Sequence, residues 1–244
     1  GEPVYQLSYK GKAVILPSKL GFILKNSTPL TSGFILQDKK ISSFDETWKP
    51  VWGEVSQIRN QYNELLVTLE QSKQNRYMKI RFRLFDDGLG FRYEFDRQPE
   101  LSYFQVSDEC TEFALSGDHK AFWIPGDYDT NEYFYTTTRL SEVNADRTDG
   151  SGIGTHGYFA KNATQTPLMM KTDDGLYINI FEAALLDYSA MNLLIDQKKN
   201  VLTSALVPDA TGTKVYMQTP HNSPWRTVIV SDKATDILAS KTIM

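Results

Sequence analysis

The acids able to do chemistry in this sequence fall in two places. In LYINIFEAALLDYSAM (Leu176 to Met191), an apolar row of Ile178 and Ile180 is closed by Glu182. Alternate residues of a strand share a face, so this carboxylate is expected where the buried face meets the sheet rim. There it must meet a cation, a basic side chain or backbone donors, or else take up a proton. On the residues alone, a structural hydrogen bond or an arginine pair is the common arrangement and a calcium ligand the rarer one. The second place is FWIPGDYDTNEYFY (Phe122 to Tyr135), where Asp127, Asp129 and Glu132 stand among aromatics around Pro125 and Gly126. Such a loop presents side chains. It suits contact with a carbohydrate, and equally a structural role in which the rings cover a core edge and the acids cap turns. Glycosidases use paired carboxylates, but closeness along a chain does not set their separation in space, so no catalytic residue is assigned here.

Two tryptophan segments and one glycine segment are weaker candidates. Trp48, Trp52 and Glu54 in ETWKPVWGE, and Pro224, Trp225 and Arg226 in SPWRT, join large rings to charged or planar partners and could each line a sugar site. Filling of a sandwich core or an interdomain seam is the favoured reading for both. GSGIGTHG has Gly152, Gly154 and Gly157 at GxGxxG spacing, but it follows polar NADRTDG and opens no helix. It reads as a flexible loop and not as a nucleotide site.

These residues must be positioned by strands. In YMKIRFRLFDDGLGFRYEF, Met78, Ile80, Phe82 and Leu84 alternate with Lys79, Arg81 and Arg83. Asp86, Asp87 and Gly88 then turn the chain before Phe91, Tyr93 and Phe95 resume the alternation, which predicts an antiparallel hairpin. Further strands are expected in VYQLSY, AVILP, GFILKN, ELLVTLE, SYFQVS, TEFAL, PLMMKT, LYINIFEA, NLLIDQ, LTSALV, KVYMQT and WRTVIVS. Helical patterning is nearly confined to DKATDILASK, with Asp232 as the expected N-cap. The pattern predicts an all-β sandwich with little helix. No repeat or low-complexity linker divides it, so residues 1–244 are expected to form a single domain.

Composition narrows the function classes. A net charge of −4 opposes non-specific nucleic-acid binding, and no apolar run is long enough to suggest a membrane span. With Cys110 the only cysteine and His119, His156 and His221 far apart, neither an intrachain disulfide nor a cysteine-rich zinc site is expected. The chain opens on GEP with no signal-peptide pattern, as a mature or engineered start would.

Taken in order, PSKLGF, TWKPVWGE, IRNQYNEL, FDDGLGFRYEF, WIPGDYDTNEYFY, FEAALLDYSAM and SPWRTVIVSDKATDIL resemble the N-terminal domain of the glycoside hydrolase family 97 enzymes, bacterial α-glucosidases and α-galactosidases. The resemblance runs over almost the whole chain. It implies a galactose mutarotase-like β-super-sandwich of two large antiparallel sheets, followed in the family by a catalytic (β/α)8 barrel that this chain would lack. The family's catalytic acids lie in that barrel, so no residue here inherits those roles and this portion alone is expected to be inactive. The resemblance further implies a calcium ion at the shared active site, with one glutamate from the sandwich. Glu182 fits that position, as a ligand that would hold no metal without the barrel. Asp127, Tyr128, Asp129 and Glu132 are substrate-side candidates. The expected partners are the chain's own barrel and an α-linked oligosaccharide, in a bacterial periplasmic or secreted protein of polysaccharide utilisation.

Two other functions compete with an accessory domain of a calcium-dependent, exo-acting α-glycoside hydrolase. An autonomous carbohydrate-binding module would stack sugars on exposed Trp123, Tyr128 and Tyr133. A mutarotase-like epimerase would need an acid and a base over the anomeric carbon, and the scattered histidines offer no such constellation.

Overall fold

The computed structural model describes residues 1–147 and 157–243. Apart from Gly157, the glycine segment and His156 lie outside the described residues. The chain is almost entirely β. The largest sheet runs β11 (Thr136–Arg139), β10 (Lys120–Trp123), β13 (Leu168–Lys171), β14 (Tyr177–Ala183), β19 (Trp225–Ser231), β7 (Gly88–Phe95), β6 (Arg76–Phe85), β5 (Ile58–Gln71), β4 (Ile35–Trp48), with β18 (His221–Asn222) beside β7. A second sheet runs β1 (Val4–Tyr9), β2 (Lys12–Lys19), β9 (Glu112–Leu115), β16 (Val201–Leu206), β15 (Met191–Asp196), β12 (Ala163–Gln165). A small third sheet, β17 (Val215–Gln218), β8 (Tyr103–Glu109) and β3 (Phe22–Leu24), completes the sandwich. The strand pairings are antiparallel, as the period-two patterning of half-buried strands favours.

One core lies between the sheets. Ile178 and Ile180 of β14, Val228 and Val230 of β19, and Phe91, Tyr93 and Phe95 of β7 meet Phe113, Leu193, Ile195 and Leu202 of the second sheet. Phe22, Phe104, Val106 and Met217 of the third sheet belong to the same core. The hairpin turns where expected, with Phe85 opposite Gly88, so that Asp86 and Asp87 form the turn. Near that turn the burial fades: Leu84, expected inward, is 48% exposed.

Three further local expectations are corrected. Trp123 is buried among core residues and donates its indole N–H to Thr138 Oγ1 at 3.0 Å, so it cannot serve as a stacking platform. Trp225 is buried as expected of a packing residue, whereas Trp52 is 89% exposed and Trp48 borders solvent, so of the two packing roles expected for ETWKPVWGE the core is excluded and the interdomain seam is left. Helix α1 (Ala234–Ala239) begins after Lys233 without a side-chain cap, because Asp232 is turned to an ion pair with Lys10. Finally, β4 is a full-length strand that the sequence reading omits, exposed along all 14 residues. Among the described residues no helix is long and apolar enough to cross a membrane.

Candidate functional site

Glu182 occupies the place that the alternation of its strand dictates. On β14, Ile178, Ile180 and Glu182 face inward while Phe181 faces out. Directly across the ladder from Glu182 is Arg226, which continues the inner row of Val228 and Val230 on β19. Cross-strand partners share a face, so a register set by apolar packing brings acid and base together. Arg226 is wholly buried and Glu182 nearly so. The Arg226 Nη1 donates to Glu182 Oε2 at 2.5 Å, and the Met191 backbone N–H donates to Glu182 Oε1 at 3.0 Å. That second bond needs a sharp return of the chain after β14. Ala184 and Asp187, with φ of +53° and +50°, supply left-handed backbone in the connecting loop.

A second carboxylate reaches Arg226 from the opposite layer. Glu109, at the end of β8, accepts from Nε at 2.9 Å and from Nη2 at 2.6 Å in the forked geometry of an arginine–carboxylate pair. It also accepts from Thr111 Oγ1 at 2.7 Å and from the Tyr188 hydroxyl at 2.9 Å. Burial works to raise the Glu109 carboxyl, but Arg226 and these donors outweigh it and hold the group below its usual range. Burial likewise opposes the charge on Arg226, and the facing Glu109 more than restores it. Two carboxylates therefore share one guanidinium out of water.

The aromatic–acid loop lies beside this cluster. Glu182, Asp127, Tyr128, Asp129, Gln165 and Asn192 line one cleft of about 430 Å³. The loop is pinned by extended pairing: Gly126 N–H donates to Ala163 O at 2.9 Å, and Phe159 N–H to Gly126 O at 3.1 Å. A side chain at Gly126 would come within 2.7 Å of the Phe159 ring, so close approach requires glycine there. The Tyr128 ring stacks on Phe159 with centroids 4.6 Å apart.

The loop acids divide. Asp127 is buried and caps its own loop, accepting from Asp129 N–H at 2.8 Å, Thr130 N–H at 3.3 Å and the Tyr133 hydroxyl. Burial raises its carboxyl, but these donors prevail and hold it low, while burial and the Asp127 charge push the Tyr133 phenol up to about 12. Asp129 is exposed at the cleft and Glu132 is exposed outside its lining.

A larger cleft of about 560 Å³ opens past Tyr128 and Phe159, bordered by Cys110, Glu112 and Thr203. Burial and the nearby acids Asp108 and Glu109 push the Cys110 thiol up to about 11, so it is a poor nucleophile. Among the described residues, no three His, Cys, Asp or Glu side chains converge as a metal-binding group. The part of the site absent from the sequence reading is Glu109 and its link to Arg226. Its one legible sign is that Arg226, like Glu182, ends an apolar inner row.

The family described as glycosyl-hydrolase 97 N-terminal matches residues 1–244. The chain belongs to this family. Its fold is shared with a glycoside hydrolase family 97 enzyme from Pseudoalteromonas sp. strain K8 solved with acarbose, at 34% identity and a TM-score of 0.88. That match covers 99% of this chain and 34% of the other. A retaining α-galactosidase of Bacteroides thetaiotaomicron is 23% identical over 97% of this chain and 37% of its own length. A β-arabinopyranosidase has the same fold, with 21% identity and a TM-score of 0.78, over 95% of this chain and 37% of that one. This family 97 N-terminal domain thus spans about a third of the length of the relatives it matches.

Proposed function

We propose that this domain forms one wall of the active site of a calcium-dependent, exo-acting α-glycoside hydrolase and donates Glu182 as one calcium ligand. The observation that carries the reading is the surplus carboxylate: Glu109 and Glu182 share Arg226, and Glu182 lines the cleft that the Asp127 loop borders. A buried charge left uncompensated is unfavourable, and a cation arriving at Glu182 offsets it. Each Glu182 oxygen accepts one hydrogen bond and retains a second lone pair, so the donor chemistry fits a hard cation. Calcium takes about six to eight oxygens. The others would come from the catalytic barrel that this reading places after the domain.

When bound, calcium supplies a charge that polarises the glycosidic oxygen or orients substrate hydroxyls. The chain's own residues hold and orient: Arg226 and the Met191 N–H fix the carboxylate, while Asp127 ties the loop that presents Tyr128 and Asp129. Tyr128 and Asp129 are the stronger substrate-side candidates. Glu132, away from the cleft, is the weakest. The acarbose bound by the Pseudoalteromonas relative and the α-galactosidase activity named for the Bacteroides relative support an α-glucoside or α-galactoside as substrate. The reading carries with it a periplasmic or secreted location and a part in polysaccharide utilisation, which fractionation of the source cells checks.

The test is Glu182→Gln in the full-length protein. Calcium affinity and turnover are expected to fall together, and if both are unchanged the reading fails. Titration calorimetry of this domain alone with maltose and melibiose is expected to show no binding. Millimolar or tighter binding would instead favour an autonomous module.

A further inference from the structure

A ligand carboxylate on a strand end has rotamer freedom, and what removes it here lies behind it. Glu182 Oε2 is held by Arg226 Nη1, and Arg226 is in turn held by both oxygens of Glu109. The guanidinium sits 5.5 Å from the Tyr188 ring centroid, and the hydroxyl of the same tyrosine donates to Glu109 at 2.9 Å. Behind Glu109, Thr111 donates to its Oε1 and pairs with the Tyr93 hydroxyl at 2.7 Å, which accepts from Gly21 N–H at 3.2 Å. An unbroken polar chain thus runs from β7 in the core to the cleft, through groups that are almost wholly buried.

Simple burial of an acid does not require this arrangement. Arg226 alone would balance Glu182, and adding Glu109 makes the cluster net negative while engaging the two remaining guanidinium nitrogens, Nε and Nη2, along one edge. Glu109 therefore braces Arg226 and returns to Glu182 a charge that would otherwise be cancelled. We propose that Arg226, braced by Glu109, is a positioning residue: it sets the plane of the Glu182 carboxylate and leaves that carboxylate's charge available to a cation at the cleft. The proposal rests on the reading of Glu182 as a calcium ligand.

The experiment compares Glu182→Gln, Arg226→Lys and Glu109→Gln in the full-length enzyme, measuring calcium Kd by calorimetry, kcat and KM at several calcium concentrations, and Tm without calcium. Lysine keeps the charge of Arg226 but lacks its fork. Expected is a rise in calcium Kd of about 10–100-fold for Arg226→Lys and for Glu109→Gln, the range typical when a group orienting a metal ligand is lost. Excess calcium should restore kcat in both, because the ligand is still present, and should not restore it in Glu182→Gln. A merely structural role would lower Tm and leave the calcium Kd of the folded enzyme unchanged. That result with a weakened Glu182→Gln overturns the positioning role and leaves the ligand reading standing, whereas an unaffected Glu182→Gln overturns the ligand reading itself. Should Arg226→Lys not fold, Tyr188→Phe removes a single hydrogen bond onto Glu109. A smaller rise in calcium Kd supports the brace, and an unchanged Kd in both Tyr188→Phe and Glu109→Gln overturns it.

Discussion

The large sheet carries ion networks on both of its faces, and they are built to opposite ends. On the outer face, Arg81 pairs with Glu64 and Glu94, Arg83 with Glu64, and Arg92 with Glu94, three cations against two acids with side chains 11–25% exposed. Arg83 and Arg92 also flank the Trp225 ring, at 4.8 and 4.6 Å from its centroid. On the inner face, two acids share Arg226 with side chains 0–7% exposed. Water and salt reach the outer surplus and screen it. At the inner one only the edge of Glu182 borders a cleft, so its surplus charge is screened far less and leans on the hydroxyls of Tyr188 and Thr111 and the Met191 N–H. Similar residue types therefore make a solvated face in one place and a poised site in the other.

The largest expected effect comes from breaking the inner network. Replacing Arg226 with Met leaves two buried carboxylates unpaired and is expected to cost about 3–5 kcal/mol, read from urea unfolding of this domain. A loss near zero would mean that the carboxylates find other compensation, and the contrast between the faces would collapse.

Acid is the next lever. Burial tends to raise the carboxyls of both Glu109 and Glu94, yet their arginine partners hold both below the usual glutamate range. A depressed folded-state value means stabilisation that is complete above the ordinary glutamate pKa of about 4.3 and is lost as pH falls through the lower, folded value. Tm should decline below that pH, and Glu109→Gln should flatten the decline even though it starts from a lower Tm at neutral pH. An equally steep decline in the variant would remove Glu109 as its source.

On the outer face the effects shrink. Glu94→Gln weakens contacts to two arginines at a partly solvated site and should cost about 1 kcal/mol or less, again by urea unfolding. Smallest is the salt response. At about 1 M salt, where the screening length is roughly 3 Å, the wild-type domain should lose a few tenths of a kcal/mol. The Glu64→Gln/Glu94→Gln pair should not share that loss. A larger salt response from the inner network would show that solvent reaches it after all.

Much of the frame was legible because burial writes a period of two. The hairpin from Met78 to Phe95 and the inner row ending at Glu182 both follow that rule. Strand β4 was not legible, because ILQDKKISSFDETW is exposed along its whole length and no buried face imposes alternation. Its extended form is imposed by its ladder to β5. Trp123 misled for a related reason: large amphipathic rings suit both a core and a surface, and only the packing chooses. The Asp127 loop was legible as a place but not as a role, since capping depends on backbone geometry that residue types do not reveal.

The sequence by itself determined that an acid would end an apolar row at Glu182 and would need a partner there, because side chains alternate along a strand and a bare buried carboxylate is costly. Only the tertiary structure decided what that partner is. Arg226 is 44 residues away from Glu182 and Glu109 is 117 away from Arg226. They meet because strand register and the stacking of sheets bring them together, and neither is encoded in local spacing. The same stacking left the cluster one positive charge short, and that deficit turns an ordinary ion pair into a candidate site.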